Sequence, residues 1–314
     1  MELTELKGEL IPLTGYPSRL AFNADGTLLA AAGSSELYVV DLRNRAVRFK
    51  GASGLAKALA FSGDGKTLFV GAKNITLIDV ATNKKSKVVM KGHKAVAQAL
   101  ESSADGTVLF TGGGSFIDTS DRFVRAFDVA TGAERWKVKP GKNSGALSLT
   151  LAGQRLFVAA EDGVVRAFDA KDGTPTGETT LAEAQKLGSP FGGVVATGEH
   201  LAAAWETKHT CTVAWLSQTT LKVDRSEVLP LADVDPSESM SVGVPLAAGT
   251  VVAVPVYYCV SGYSRIVVAL FDSSTRALRR LVQLVDASDP RCALSPDGAS
   301  LAWGVADGVT LAHL

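Results

Sequence analysis

The chain has 314 residues, 46% of them hydrophobic, with 32 Lys and Arg balanced by 32 Asp and Glu. Zero net charge, without a segment basic enough to follow a phosphate backbone, argues against a nucleic-acid partner, and no apolar run reaches the length that spans a bilayer. The start carries Glu2, Glu5, Lys7 and Glu9 rather than a basic residue cluster and an apolar stretch, so a cytoplasmic protein without a membrane partner is expected.

From the amino terminus, Glu2 to Leu13 reads as a spare strand that precedes the first of seven related units. Unit one opens at Pro17. It has Asp25-Gly26 between two β-prone runs, then YVVDL closing on Asp41; unit two repeats this with Asp64-Gly65 and LIDV closing on Asp79. A dipeptide tolerant of positive φ between short β-prone runs makes a tight hairpin. The basic stretch Lys84, Lys85, Lys87, Lys91 and Lys94 falls where an outer edge strand and its exit loop belong, and charge there discourages pairing with other chains.

Unit three has Asp105-Gly106, Asp128, the turn Thr131-Gly132 and a charged strand, Ala133 to Val138. Gly153-Gln154, Gly198-Glu199 and Ala248-Gly249 fill the hairpin slot of units four, five and six, and Asp169 and Asp272 close the third strands of units four and six. Ser217 stands at that place in unit five. The seventh unit, Arg291 to Leu314, has Asp297-Gly298 and ends at His313-Leu314 with room for only three strands. A repeat of about forty residues with four strands per unit is the signature of a β-propeller. The expected fold is therefore all-β: one seven-bladed propeller of four-stranded antiparallel blades over residues 1–314, with blades one to six in 17–290, the rest of blade seven in 291–314, and residues 1–13 as the strand that completes blade seven.

Several stretches resemble WD-repeat propellers. Gly92-His93 is similar to that family's Gly-His before an innermost strand, and Asp162 to Asp169 (DGVVRAFD) to its tight turn and third strand, with Phe168 where Trp is usual. Asp121 and Asp307 match the turn Asp, whereas Ser35 and Asn74 depart from it. The resemblance implies that His93 belongs to a structural hydrogen-bond network rather than to a catalytic centre. Ala126 to Trp136 (AFDVATGAERW) resembles instead the quinoprotein-type repeat, whose Trp docks between blades; this implies kinship of repeat, not of cofactor.

The residues point away from catalysis. His93, His200, His209 and His313 lie in different units without metal-ligand neighbours, so no metal and no cofactor are expected. No Gly-x-Ser-x-Gly elbow occurs, and Gly112-Gly113-Gly114 lacks the Lys-Ser/Thr of a phosphate loop. Cys211, Cys259 and Cys292 contain no CxxC pair and read as reduced structural thiols. The innermost strands, among them Leu20 to Phe22, Ala58 to Phe61 and Leu147 to Leu149, are small and apolar, a lining without acids, bases or metal ligands.

Long connections occur only in units three to six: Gly112 to Phe123, Thr179 to Gly192, Glu206 to Thr210, Ala232 to Met240 and Tyr257 to Arg265. All open onto one face, and long loops on a rigid scaffold tend to carry function. Phe116, Asp118, Arg122, Phe191, His209, Tyr258, Tyr263 and Arg265 are the candidate partner-binding residues on that face. The expected function is a non-enzymatic scaffold or complex subunit, a monomeric propeller that binds a protein or peptide. The alternative is a small-molecule enzyme of propeller fold, a lactonase-like hydrolase or a quinone-dependent oxidoreductase, with its site in the central channel.

Overall fold

A computed structural model describes residues 3–114, 120–181, 191–207, 209–231, 234, 240–260, 263–287, 289 and 291–314. The described residues form seven sheets, one per blade, antiparallel except for one strand added to the outside of blade six. Two strands, β1 (Leu3–Leu6) and β2 (Glu9–Pro12), precede blade one: β3 (Arg19–Phe22), β4 (Leu28–Ala32), β5 (Glu36–Asp41) and β6 (Ala46–Ala52). Blade two is β7 (Ala58–Phe61), β8 (Thr67–Gly71), β9 (Ile75–Asp79) and a two-residue outer strand β10 (Lys84–Lys85). Blade three is β11 (Ala97–Ser102), β12 (Val108–Gly113), β13 (Val124–Asp128) and β14 (Glu134–Val138); blade four is β15 (Ala146–Ala152), β16 (Arg155–Ala160), β17 (Val164–Asp169) and β18 (Pro175–Thr180). Blade five is β19 (Phe191–Thr197), β20 (His200–Thr207), β21 (Thr210–Ser217) and β22 (Val223–Val228). Blade six has a split inner strand, β23 (Ser241–Val242) and β24 (Leu246–Ala248), then β25 (Val251–Val260), β26 (Tyr263–Asp272) and β27 (Leu278–Leu284); blade seven is β28 (Cys292–Leu294), β29 (Ser300–Val305), β30 (Gly308–His313) and β2.

The repeated turn has one chemistry. The side chains of Asp25, Asp64, Asp105 and Asp297 each accept a hydrogen bond from the backbone N–H two residues on, at 2.9–3.1 Å. The intervening glycines sit at φ +70 to +73°, a region an L side chain enters only at a cost. Hydrogen bonds from Ser103 and Thr107 hold the Asp105 carboxyl down at about 2. At the turn before the outer strand, blades one to six each place one residue in the left-handed region: Arg45, Asn83, Gly132, Gly173, Leu221 and Arg276.

Closure matches the expected arrangement for β2, which pairs antiparallel with β30 from Glu9↔Leu311 to Pro12↔Gly308. The first part of the same segment departs from it. β1 runs parallel to β27 and adds a further strand to the outside of blade six, so residues 3–12 bind two consecutive blades. The pattern of burial explains the split: Leu6 enters the seam between blades six and seven, whereas Ile11 and Leu13 enter the seam between blades seven and one.

Apolar burial is concentrated at the seams. Seven clusters of buried residues occur, one between each pair of adjacent blades. Two indoles fasten seams by hydrogen bonding: Trp136 Nε1 donates to the Ala170 carbonyl of blade four and Trp303 Nε1 to the Val285 carbonyl beyond β27, both at 3.0 Å. That placement explains the Trp of the AFDVATGAERW segment. His93 is likewise part of the framework. Its Nδ1 lies 3.1 Å from Asp121 Oδ2 and its Nε2 2.7 Å from Thr111 Oγ1, while Arg125 pairs with Asp121 at 2.8 Å and with Glu134 at 2.9 Å. Burial, with the Arg125 charge beside it, pushes the His93 imidazole down.

Candidate interaction face and central cavity

Connections between second and third strands, and from blade to blade, share one face of the ring. In blades five and six the middle strands lengthen toward that face. β20 and β21 have eight residues each, and β25 and β26 ten each, against five or six for the middle strands of the other blades. The continuous register from Val251↔Asp272 to Val260↔Tyr263 shows that the extra residues lie at the loop end. Tyr257 to Arg265, expected as an extended connection, is thus mainly the end of a long hairpin, because Tyr257 to Val260 continue the ladder against Tyr263 to Ile266. Pro255 on β25 lies opposite the break in the inner strand: a proline has no N–H to donate, its carbonyl accepts from Gly243 N at 2.8 Å, and β23 and β24 separate at that level.

The candidate partner-binding residues divide by exposure. Phe116 and Asp118 lie outside the described residues. Phe191 is 4% exposed and packs beside Trp205 in the seam between blades four and five, with ring centroids 6.3 Å apart. Tyr258 is 1% exposed, among the aliphatic residues of the seam between blades five and six. Both are core residues: Phe191 begins an innermost strand and Tyr258 alternates inward on β25, so neither is on the surface assigned to it. Arg122 is half-buried and donates to the Asn143 carbonyl at 2.6 Å, tying the blade-three loop to the connection into blade four. His209 is half-buried with a left-handed backbone, φ +67°. Tyr263 is 78% exposed, and Arg265 is half-buried opposite Tyr258.

The blade-five tip adds Glu206 and Thr207, which sequence reasoning passed over, to the candidate His209. Glu206 Oε2, Thr207 Oγ1 and His209 Nδ1 are buried without a hydrogen-bond partner among the described residues, and burial pushes the Glu206 carboxyl up. The spacing of Glu206 and His209 gave no sign of this, since it depends on how far the hairpin extends. At the tip of blade six, Tyr257 Oη lies 2.8 Å from Ser264 Oγ across the strand pair.

The ring encloses a central cavity of about 720 Å³. Its walls carry Leu20, Leu59, Leu100, Leu147 and Leu149, with the polar side chains of Gln98, Ser148 and Ser241 among them. Its mouth is charged: Arg19, Lys57, Asp289 and Arg291 stand there. The expectation of a lining without charged groups therefore fails at one end, because Arg19 and Arg291 occupy the start of their innermost strands or the residue before, just outside the apolar triplets. Among the described residues no group of three or more His, Cys, Asp or Glu side chains is placed to hold a metal ion. The three cysteines are free thiols; burial raises the Cys211 thiol, and raises that of Cys292 to about 12.

Comparison with solved structures finds the fold widely shared. The WD40-repeat structure titled "Crystal structure of RRP9 WD40 repeats" superposes with a TM-score of 0.75 over 100% of both chains at 14% identity, a likeness of fold alone. No curated protein matches the chain. A family model described as "Outer membrane protein assembly factor BamB" matches residues 61–189 and 90–254, so the repeat is of the quinoprotein type although the architecture is shared with WD-repeat propellers. Because residues 90–254 alone make up more than half of the 314-residue chain, the protein belongs to this outer membrane protein assembly factor family.

Proposed function

We propose that this protein is a non-catalytic docking platform that binds a protein or peptide partner through the hairpin tips of blades five and six. The observation that carries the reading is the β25–β26 hairpin. Its four additional residues per strand extend the tip by about 13 Å at ~3.3 Å per residue, and it presents Tyr263, 78% exposed, next to Arg265 on β26. Tyr and Arg are the residue types over-represented among binding hot spots. The buried Glu206, Thr207 and His209 atoms on the adjacent tip offer donors and acceptors that a partner backbone would satisfy, as buried polar groups require. Membership of a family named for assembly of other proteins supports the same reading.

A photo-crosslinking residue at position 263, compared with one at position 172 on the opposite face, tests the proposal in the native host. A stoichiometric protein adduct from position 263 that is absent from position 172 is expected, and Tyr263→Ala with Arg265→Ala should weaken it by roughly 30-fold or more, the effect of losing a hot spot. Equal adducts at both positions, or none at 263, overturn the reading. Free Cys211, Cys259 and Cys292 suit a reducing compartment, so the proposal includes a cytoplasmic location; recovery of the chain in the membrane or periplasmic fraction overturns that part.

A further inference from the structure

The mouth of the central cavity gathers like charge from consecutive blades. Arg291, Arg19 and Lys57 come from blades seven, one and two, each at or just before the start of an innermost strand. Arg19 is held from within the protein: its Nε donates to the Lys57 carbonyl and its Nη1 to the Ser18 carbonyl at 2.7 Å. This leaves guanidinium N–H groups in excess of the acceptors present, since a guanidinium carries five donors. Arg291 pairs with Asp289, but among the described residues neither Arg19 nor Lys57 forms an ion pair. One carboxylate therefore faces three cations. Burial, with the Arg291 charge beside it, pushes the Arg19 guanidinium down to about 10 even though Asp289 opposes the shift. A half-buried cation next to another cation is electrostatically unfavourable until an anion joins it.

Behind this charged mouth Leu and Ala side chains dominate the cavity wall, with Gln98 and Ser148 among them, and its volume of about 720 Å³ lies within the range of pockets that enclose a small organic molecule. A charged rim over a largely apolar well fits an amphipathic ligand. We infer that the cavity binds an organic acid, its carboxylate held by Arg19 and Lys57 and its apolar body seated against Leu20, Leu59 and Leu100. A guanidinium recognises a carboxylate through two parallel N–H···O bonds, and the ammonium of Lys57, which is exposed and makes no hydrogen bond through its side chain among the described residues, is free to turn onto the same head group. The inference does not depend on protein docking at the hairpin tips, which lie on other blades.

The test is a fluorescence titration of the full chain with 2-naphthoate and with 2-naphthamide, which has the same body without the charge. The wild type should prefer the carboxylate by about tenfold or more, as one charge-assisted contact in a partly dry site implies, and raising the salt concentration should reduce the preference. Arg19→Gln should bring the two affinities together. Because Arg19 also hydrogen-bonds the backbone, Lys57→Gln serves as the second variant: its side chain is exposed, its melting temperature should equal that of the wild type, and its preference for the carboxylate should fall about threefold or more. Equal affinity of the wild type for both probes, no binding of 2-naphthoate, or an undiminished preference in both variants overturns the inference.

Discussion

Glu101→Gln should stabilise the propeller at pH 8 and leave its stability unchanged near pH 4.5. Glu101 is a mostly buried residue on β11, and its Oε1 accepts a hydrogen bond from the Leu151 N–H on β15 at 3.1 Å. Burial raises its carboxyl to about 7, against an ordinary value of 4.5, and the Leu151 bond opposes this only in part. The folded state therefore holds a proton that the unfolded chain releases between those two values, and stability falls as pH rises through that window. A carboxyl raised from 4.5 to about 7 costs at most about 3 kcal/mol at high pH, and residual solvent access reduces this to about 2 kcal/mol. Gln retains the carbonyl that accepts from Leu151 and cannot ionise, so the cost is removed. For a chain of this size the difference is roughly 4 °C in melting temperature. Differential scanning calorimetry of both proteins from pH 4.5 to pH 8 reads it directly. A constant difference across that range, or a less stable variant at pH 8, would refute the assignment of a proton to Glu101.

Three further outcomes follow from closure and seam packing. Removing residues 3–13 exposes Leu6, Ile11 and Leu13 cavities in two seams and should lower the unfolding free energy by about 5 kcal/mol, read as a lower denaturant midpoint; an unchanged midpoint would show that these strands do not close the ring. Gly304→Ala places a Cβ 1.8 Å from the Pro17 carbonyl oxygen, a backbone atom with no rotamer to yield, and should cost about 3 kcal/mol. A melting temperature within a degree of the wild type would show that the Pro17 backbone moves aside. Asp121→Asn removes the carboxylate shared by Arg125 and His93 and leaves Arg125 paired with Glu134 alone, and breaking a buried pair of this kind should cost about 3 kcal/mol. Thermal unfolding at pH 7.5, where His93 is neutral, reads the loss without a His93 charge, and an unchanged melting temperature would show that the Asp121 carboxylate does not hold Arg125.

The seven-bladed architecture was legible in the sequence because it rests on local chemistry repeated along the chain. Asp-Gly at residues 25, 64, 105 and 297 produces the same hairpin each time, whatever the rest of the blade contains. The shortage of one strand in blade seven likewise required the amino terminus to supply it, and β2 does. What the local signals lacked was the destination of each side chain. Tyr258 and Tyr263 are five residues apart on one hairpin and read alike in sequence, yet one is core and the other solvent-exposed, because the inward face of β25 is defined by the neighbouring blade.

The same limit applies to the charged mouth and to the blade-five tip. Arg19, Lys57 and Arg291 are separated by up to 272 positions, and no periodicity of spacing joins them; ring closure brings blades seven, one and two together around the cavity. Sequence alone determined the hairpin turns, most strands and the number of blades, since these depend on backbone conformation and short-range hydrogen bonds. Only the tertiary structure decided which side chains meet, because that depends on which strand lies against which across each seam.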